Sequence, residues 1–98
     1  MQRLVFRNFE IRPDERQLLV QGQPMAIGAL AFDVLLALVE RRDRVVEKEE
    51  LIQAAWRGLV VEDNNLTVQV SSLRKLLGHE TIATVTGRGY QSSDCEQH

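Results

Sequence analysis

The stretch EDNNLTVQVSSLRKLLG, residues 62–78, decides the fold. Its middle, LTVQV at 66–70, alternates apolar and polar side chains and is rich in β-branched residues, the pattern of a half-buried strand. Over the whole stretch a different period holds. Leu66, Val70, Leu73 and Leu77 stand at i, i+4, i+7 and i+11, one continuous helical face. Asp63 or Asn64 can cap the N-terminus, and Gly78 fits just past the C-terminus. Ser71-Ser72 is too weak a turn signal to stop a strand before LRKLL. Caps at both ends agree with the stripe, so the spacing predicts a helix.

That helix has a second face. At about 100° per residue, Asn64, Val68, Ser71, Ser72 and Lys75 fall opposite the apolar stripe. The face carries no acid, and its side chains are short, uncharged or basic. A helix that only met water would more often carry Glu–Lys pairs there. The major groove of DNA admits a helix and suits this composition. Phosphates repel acids, Asn and Gln can pair with adenine edges, Ser donates or accepts, and an apolar Val can touch a thymine methyl. The plain alternative is that Val68 is a scattered surface apolar residue, which is ordinary.

The flanking segments supply context. Before residue 29 the chain reads as short strands: LVF, FEI, LLV and MAI, the last at 25–27. RPDERQ, with Pro13-Asp14, and QGQP, with Gly22 and Pro24, are the turns between them. Such spacing reads as a small antiparallel meander, too small to stand alone. Residues 29–42 read as a helix on Leu30, Val34, Leu35 and Leu38, with Arg41 and Arg42 in its last turn where positive charge suits the dipole. RVV at 44–46 suits a short strand. Residues 47–56 read as a second helix, with Glu47, Glu49 and Glu50 at its start and Gly58 at or after its end. After Gly78, TIATV, a TGRG turn and a return strand from Tyr90 form a β-hairpin. Arg88, on this glycine-flanked turn, would reach a neighbouring minor groove or a phosphate; the plain alternative is a solvated tip where Gly87 and Gly89 merely supply positive φ.

Composition narrows the function. At 98 residues the chain is one domain by default, with five aromatic side chains, so Leu, Val and Ile must fill most of a small core. One cysteine, Cys95, can build neither an internal disulfide nor a zinc site, which fits a reducing compartment. The longest apolar run, residues 34–39, is far too short to span a bilayer, and no signal peptide follows Met1. A cytoplasmic domain without membrane contact is expected. The two histidines, His79 and His98, form no credible Ser–His–Asp set, and GRG is too short for a phosphate loop. No enzyme activity, metal or cofactor is expected. The net charge of −2 argues weakly against nucleic acid, but its distribution is uneven. Residues 29–63 hold five basic and eight acidic side chains, whereas residues 64–93 hold Arg74, Lys75 and Arg88 against Glu80.

A helix, a turn, a second helix and then a hairpin with a basic tip is the outline of a winged helix-turn-helix. From residue 6 to 90 the chain resembles the OmpR/PhoB-type winged helix of bacterial transcriptional regulators. The resemblance rests on GQPMAIGALAFDVLLALVERRDRVVEKEELIQAAW, VVEDNNLTVQVSSLRKLLG and IATVTGRGY, in that order. It looks most like the branch whose winged helix precedes other domains. The resemblance implies an α+β fold: an N-terminal four-stranded antiparallel sheet, three helices and a C-terminal hairpin wing. The domain is expected to span residues 1–92, with the polar last residues, 93–98, as a flexible tail. It implies double-stranded DNA as partner, bound by relatives as dimers on direct repeats. Asn64, Asn65, Val68, Gln69, Ser71, Ser72, Arg74 and Lys75 match the recognition helix, and Thr86, Gly87 and Arg88 match the wing. Arg57, Gly58, Leu59, Val60, Val61 and Glu62 match a loop that meets RNA polymerase in some members. Trp56, Leu73 and Tyr90 match core positions.

The chain departs from the response-regulator pattern at three places. Ser71 and Ser72 stand where many members carry arginine, which implies weaker, less salt-sensitive binding. Thr86 replaces a basic residue, leaving Arg88 as the only charge of the wing tip. Glu47 opens the second helix where Ser or Thr is usual, at a cost of about 1 kcal/mol at most. The arginine-poor third helix and the acidic middle keep a rival reading open, a winged-helix module for protein interaction or dimerisation.

Overall fold

Short β-branched and aromatic runs open the chain, and turn residues fold them back on one another. The computed structural model describes residues 4–5, 9–57, 59, 61–78 and 81–92. Strands β1 (Leu4–Val5), β2 (Phe9–Arg12), β3 (Gln17–Val20) and β4 (Gln23–Met25) form an antiparallel sheet in sequential order. Pro13–Glu15 makes one 3-10 turn between β2 and β3, closed by Arg16 in the left-handed region at φ 50. The second hairpin is tighter than expected. Val20 pairs with Gln23, which leaves only Gln21 and Gly22 in the turn. Their φ values of 54 and 83 are those of a two-residue type I′ turn. The fourth strand is therefore QPM at 23–25, and the strand expected at 25–27 is corrected. Pro24 is tolerated because β4 is an edge strand. It pairs with Leu19 one step beyond the hydrogen-bonded closing pair, so its nitrogen faces away from β3.

Helix α1 (Ala29–Glu40) starts at Ala29 as expected, with Gly28 as its N-cap, and ends two residues early. Arg41 and Arg42 lie past its end, yet their side chains turn back to its last carbonyls. Arg41 Nη1 donates to Ala37 O at 3.2 Å and Arg42 Nη1 to Val39 O at 2.6 Å. Seven of its residues are buried, from Ala31 to Val39, because it is covered on more than one side. The sheet is tied to it by Arg16, which pairs with Asp33 at 2.9 Å and lies 4.8 Å over the Phe32 ring.

Strand β5 (Val46–Glu47) leads directly into α2 (Lys48–Trp56). Glu47 is the N-cap and makes no side-chain cap, as its chemistry foretold. The left-handed residue that ends α2 is Arg57, at φ 55; Gly58, expected at or after the end, lies outside the described residues. Helix α3 (Asp63–Leu77) follows. The strand alternative for residues 66–70 is gone, and Leu66, Val70, Leu73 and Leu77 are all buried. Its caps differ from expectation. Glu62 is the N-cap and offers no side-chain bond, while Asp63 and Asn64 lie inside the helix. Gly78 ends it at φ 106, its N–H bonded to Arg74 O at 2.8 Å.

Strands β6 (Ile82–Val85) and β7 (Gly89–Ser92) form the C-terminal hairpin, and β5 joins it in the order β5-β7-β6. One apolar core unites the layers, from Phe9 and Ile11 of the sheet through Phe32, Leu35, Leu51 and Trp56 to Leu66, Leu73, Ile82 and Tyr90. Burying one such side chain contributes about 1.5–3 kcal/mol, so the stripe of α3 alone is a large share of a small domain's stability. Trp56, Leu73 and Tyr90 take the structural places expected of them. No helix among the described residues is long and apolar enough to cross a membrane. The expected tail at 93–98, with Cys95 and His98, and also His79, lie outside the described residues.

Candidate nucleic-acid interface

Because the stripe of α3 is fixed in the core, its opposite face is fixed outward. Asn64, Asn65, Val68, Ser71, Ser72 and Lys75 are all exposed. Val68 keeps 51% of its surface open to solvent, one of few large apolar side chains to do so among the described residues. Five of these residues are the ones the helical phase had placed opposite Leu66. Asp63, the first residue of α3, is the one acid in the sequence of that helix.

Two of the expected contact residues sit on the flanks instead. Gln69 is half-buried and lines an open groove of about 460 Å³ between α3 and the start of α1, with Ser72 and Lys75 on the same wall. Arg74 lies on the other flank. Its Nε and Nη2 both donate to Ile82 O, at 3.1 and 2.7 Å, and Nη2 also donates to Thr84 Oγ1 at 2.7 Å. The guanidinium lies 5.9 Å from the Tyr90 ring centroid. Its phase, about 80° from Leu66, already separates it from the outward face. Thr84, its partner, is a residue that sequence reasoning passed over, since nothing local marks it.

The hairpin tip, residues 86–88, is exposed. Arg88 N–H bonds Val85 O at 2.9 Å, and Gly87 takes φ 78 at the third position of that turn, as a type II turn requires. Gly89 has another role than the one expected. Its φ is not positive; it is glycine because β5 runs against it, and an added Cβ would meet Val46 O. Arg88 is therefore a cation on a short, hydrogen-bonded turn at the end of the hairpin.

Between α2 and α3, Arg57, Leu59 and Glu62 are exposed, Leu59 at 66%, and Val61 is half-buried against the core. Gly58 and Val60 of this loop lie outside the described residues. Among the described residues, no group of His, Cys, Asp and Glu is placed to hold a metal ion.

Two helices joined by a loop, an outward acid-free face on the second, and a hairpin with a basic tip define a winged helix-turn-helix. The family model described as "Transcriptional regulatory protein, C terminal" matches residues 22–92. The chain belongs to that family, the OmpR/PhoB-type winged helix. It is 34% identical over 98 residues to the cholera toxin homolog transcriptional activator of Vibrio parahaemolyticus, a match covering 90% of this chain and 34% of that protein. The chain thus spans about a third of the length of such a relative. Among solved structures it is similar to the Klebsiella pneumoniae RstA DNA-binding domain in complex with the RstA box, at 26% identity and a TM-score of 0.82, covering 95% of this chain and 98% of that one. It is similar also to the DNA-binding domain of E. coli CadC, at 26% identity and a TM-score of 0.80, covering 93% and 92%.

Proposed function

We propose that the chain binds double-stranded DNA in a sequence-specific way, as the DNA-reading part of a longer bacterial transcription regulator. Helix α3 enters the major groove with Asn64, Asn65, Val68, Ser71, Ser72 and Lys75 towards it. The wing tip, Thr86, Gly87 and Arg88, meets the neighbouring minor groove or its phosphates. The observation that carries this reading is Val68, held half-exposed at the centre of an acid-free helical face. Water gives such a side chain no partner, whereas a thymine methyl does. Gln69 borders the contact from the groove beside α1, and Arg74 acts from the hairpin side. Dimers on direct repeats, as in relatives, fit a reader with few cations, because two weak contacts on one duplex add in effect.

Fluorescence anisotropy with a labelled duplex tests the reading. Binding at low salt that weakens steeply as salt rises is expected, because each neutralised phosphate adds about −0.9 to the log–log slope. Binding that ignores salt, or no binding at low salt, points instead to the interaction module.

A second contact is favoured by Leu59, exposed at 66% in the loop between α2 and α3. An apolar side chain on a loop beside the recognition helix suits a protein partner such as RNA polymerase, with Arg57 and Glu62 beside it. Loss of activated transcription in Leu59→Ser with DNA affinity unchanged is the expected result; unchanged activation contradicts it.

A further inference from the structure

The geometry points to Arg74 as a positioning residue that locks the wing to the recognition helix, so that the two elements read DNA as one rigid body. This inference rests on the DNA-binding reading above. The hairpin needs such a lock. Strand β6 lies at the outer edge of its sheet, paired on one side only by β7. Its residues Ala83 and Thr84 are exposed and Val85 is half-buried, so Ile82 is its one fully buried anchor in the core. The root of the hairpin is tied to α3 by Thr81, whose Oγ1 donates to Leu77 O at 3.0 Å. Further towards the tip the tie is Arg74, which bonds a backbone carbonyl at residue 82 and a side chain at residue 84.

The chemistry of the tie is specific to arginine. A planar fork delivers two N–H groups to one carbonyl and a third bond to Thr84, and its face lies towards Tyr90. The bonds need all three groups in register, so they fix the angle of the strand as well as its distance. Alternate carbonyls of an edge strand face away from the sheet and lack a ladder partner. A phosphate contact through the same Nε and Nη2 would forfeit this set. Nε and Nη2 of Arg74 are thus committed to the hairpin rather than to a phosphate, while Lys75, next in sequence and exposed, remains free to make such a contact. The wing cation Arg88 then depends on Arg74 for its place.

The test is a double-mutant cycle on DNA affinity and salt slope, with a measurement that needs no DNA. Arg74→Gln and Arg88→Ala are expected to be strongly non-additive, the second change costing under twofold once the first is made. Arg74→Gln and Lys75→Ala are expected to add. In the Arg88→Ala background, Arg74→Gln should leave the salt slope unchanged; a further drop of about 1 would make Arg74 a phosphate contact and overturn the lock. Thr84→Val keeps the arginine and its charge, and should reproduce part of the Arg74→Gln effect. In the free proteins, amide hydrogen exchange of residues 83–88 should quicken in Arg74→Gln and Thr84→Val. Unchanged exchange there in both variants overturns the lock, whether or not the chain binds DNA. Absence of DNA binding with quickened exchange overturns only the reading on which the lock rests.

Discussion

A Cβ on residue 89 would land on the carbonyl oxygen of Val46, so Gly89 is what lets β5 close against β7. The same Cβ would stand 2.9 Å from Glu47 Cα and from the Val46 carbonyl carbon, all backbone atoms that cannot swing aside. Strand β5 carries the start of α2, so this close approach links the wing to the helix-turn-helix. Gly89→Ala should lose more than about 2 kcal/mol, at the upper end of overpacking costs. Gly87→Ala, where nothing stands within 4 Å but φ is 78, should lose about 1–2 kcal/mol from the left-handed backbone alone. Urea melts of the two variants check the order.

The outward phase of α3 makes a sharp contrast between neighbours. Leu66 is fully buried, and Val68 is half-exposed. Leu66→Ala should cost about 2–5 kcal/mol as a core truncation. Val68→Glu should leave the melt within about 0.5 kcal/mol yet abolish DNA binding, since it sets an acid against the phosphates. Circular dichroism melts and anisotropy on the same samples decide. A Val68→Glu protein that unfolds would place Val68 in the core.

Lys75 and Arg88 are the exposed cations of the proposed interface. Each changed to Ala should weaken binding to every sequence alike and lower the salt slope by about 1. Affinity measured over a series of salt concentrations reports both effects. Unchanged affinity in both variants removes these roles.

Glu50 joins the end of α1 to the first turn of α2. It accepts from Arg44 Nη2 at 2.6 Å and from Arg41 Nε at 2.8 Å. The Arg44 hydrogen bond, above all, holds its carboxyl below the ordinary value of 4.5. A folded value lowered in this way means stability that is fully present above about pH 5 and lost as pH falls through the folded value. Glu50→Gln should therefore be less stable than the parent at neutral pH, and the gap should close on acidification. Both ions are partly open to water, so the gap is modest. Thermal melts from about pH 7 down to pH 3 would show it; a gap that is constant with pH contradicts the assignment.

Periodicity carried most of this architecture because burial enforces it. The stripe of Leu66, Val70, Leu73 and Leu77 could be read without coordinates, and with it the outward set around Val68. What escaped was set by contacts between distant segments. Gly89 looked like a turn glycine because only the approach of Val46 explains it. Arg74 looked like a DNA contact by its place in the motif, since a hydrogen bond to residue 84 leaves no local trace. Ends of elements shifted for local reasons. Type I′ geometry at Gln21-Gly22 drew Pro24 into a strand, and Glu62 displaced the better capping residues by one position.

The central claim is that α3 and the wing form the DNA surface, and a ¹⁵N-NMR titration tests it most directly. The duplex would be added at low salt and the titration repeated as salt rises. The account predicts amide shifts concentrated in residues 64–75 and 86–90 that fade with salt. Shifts confined to the acidic segment 29–63, or none at all, would contradict it.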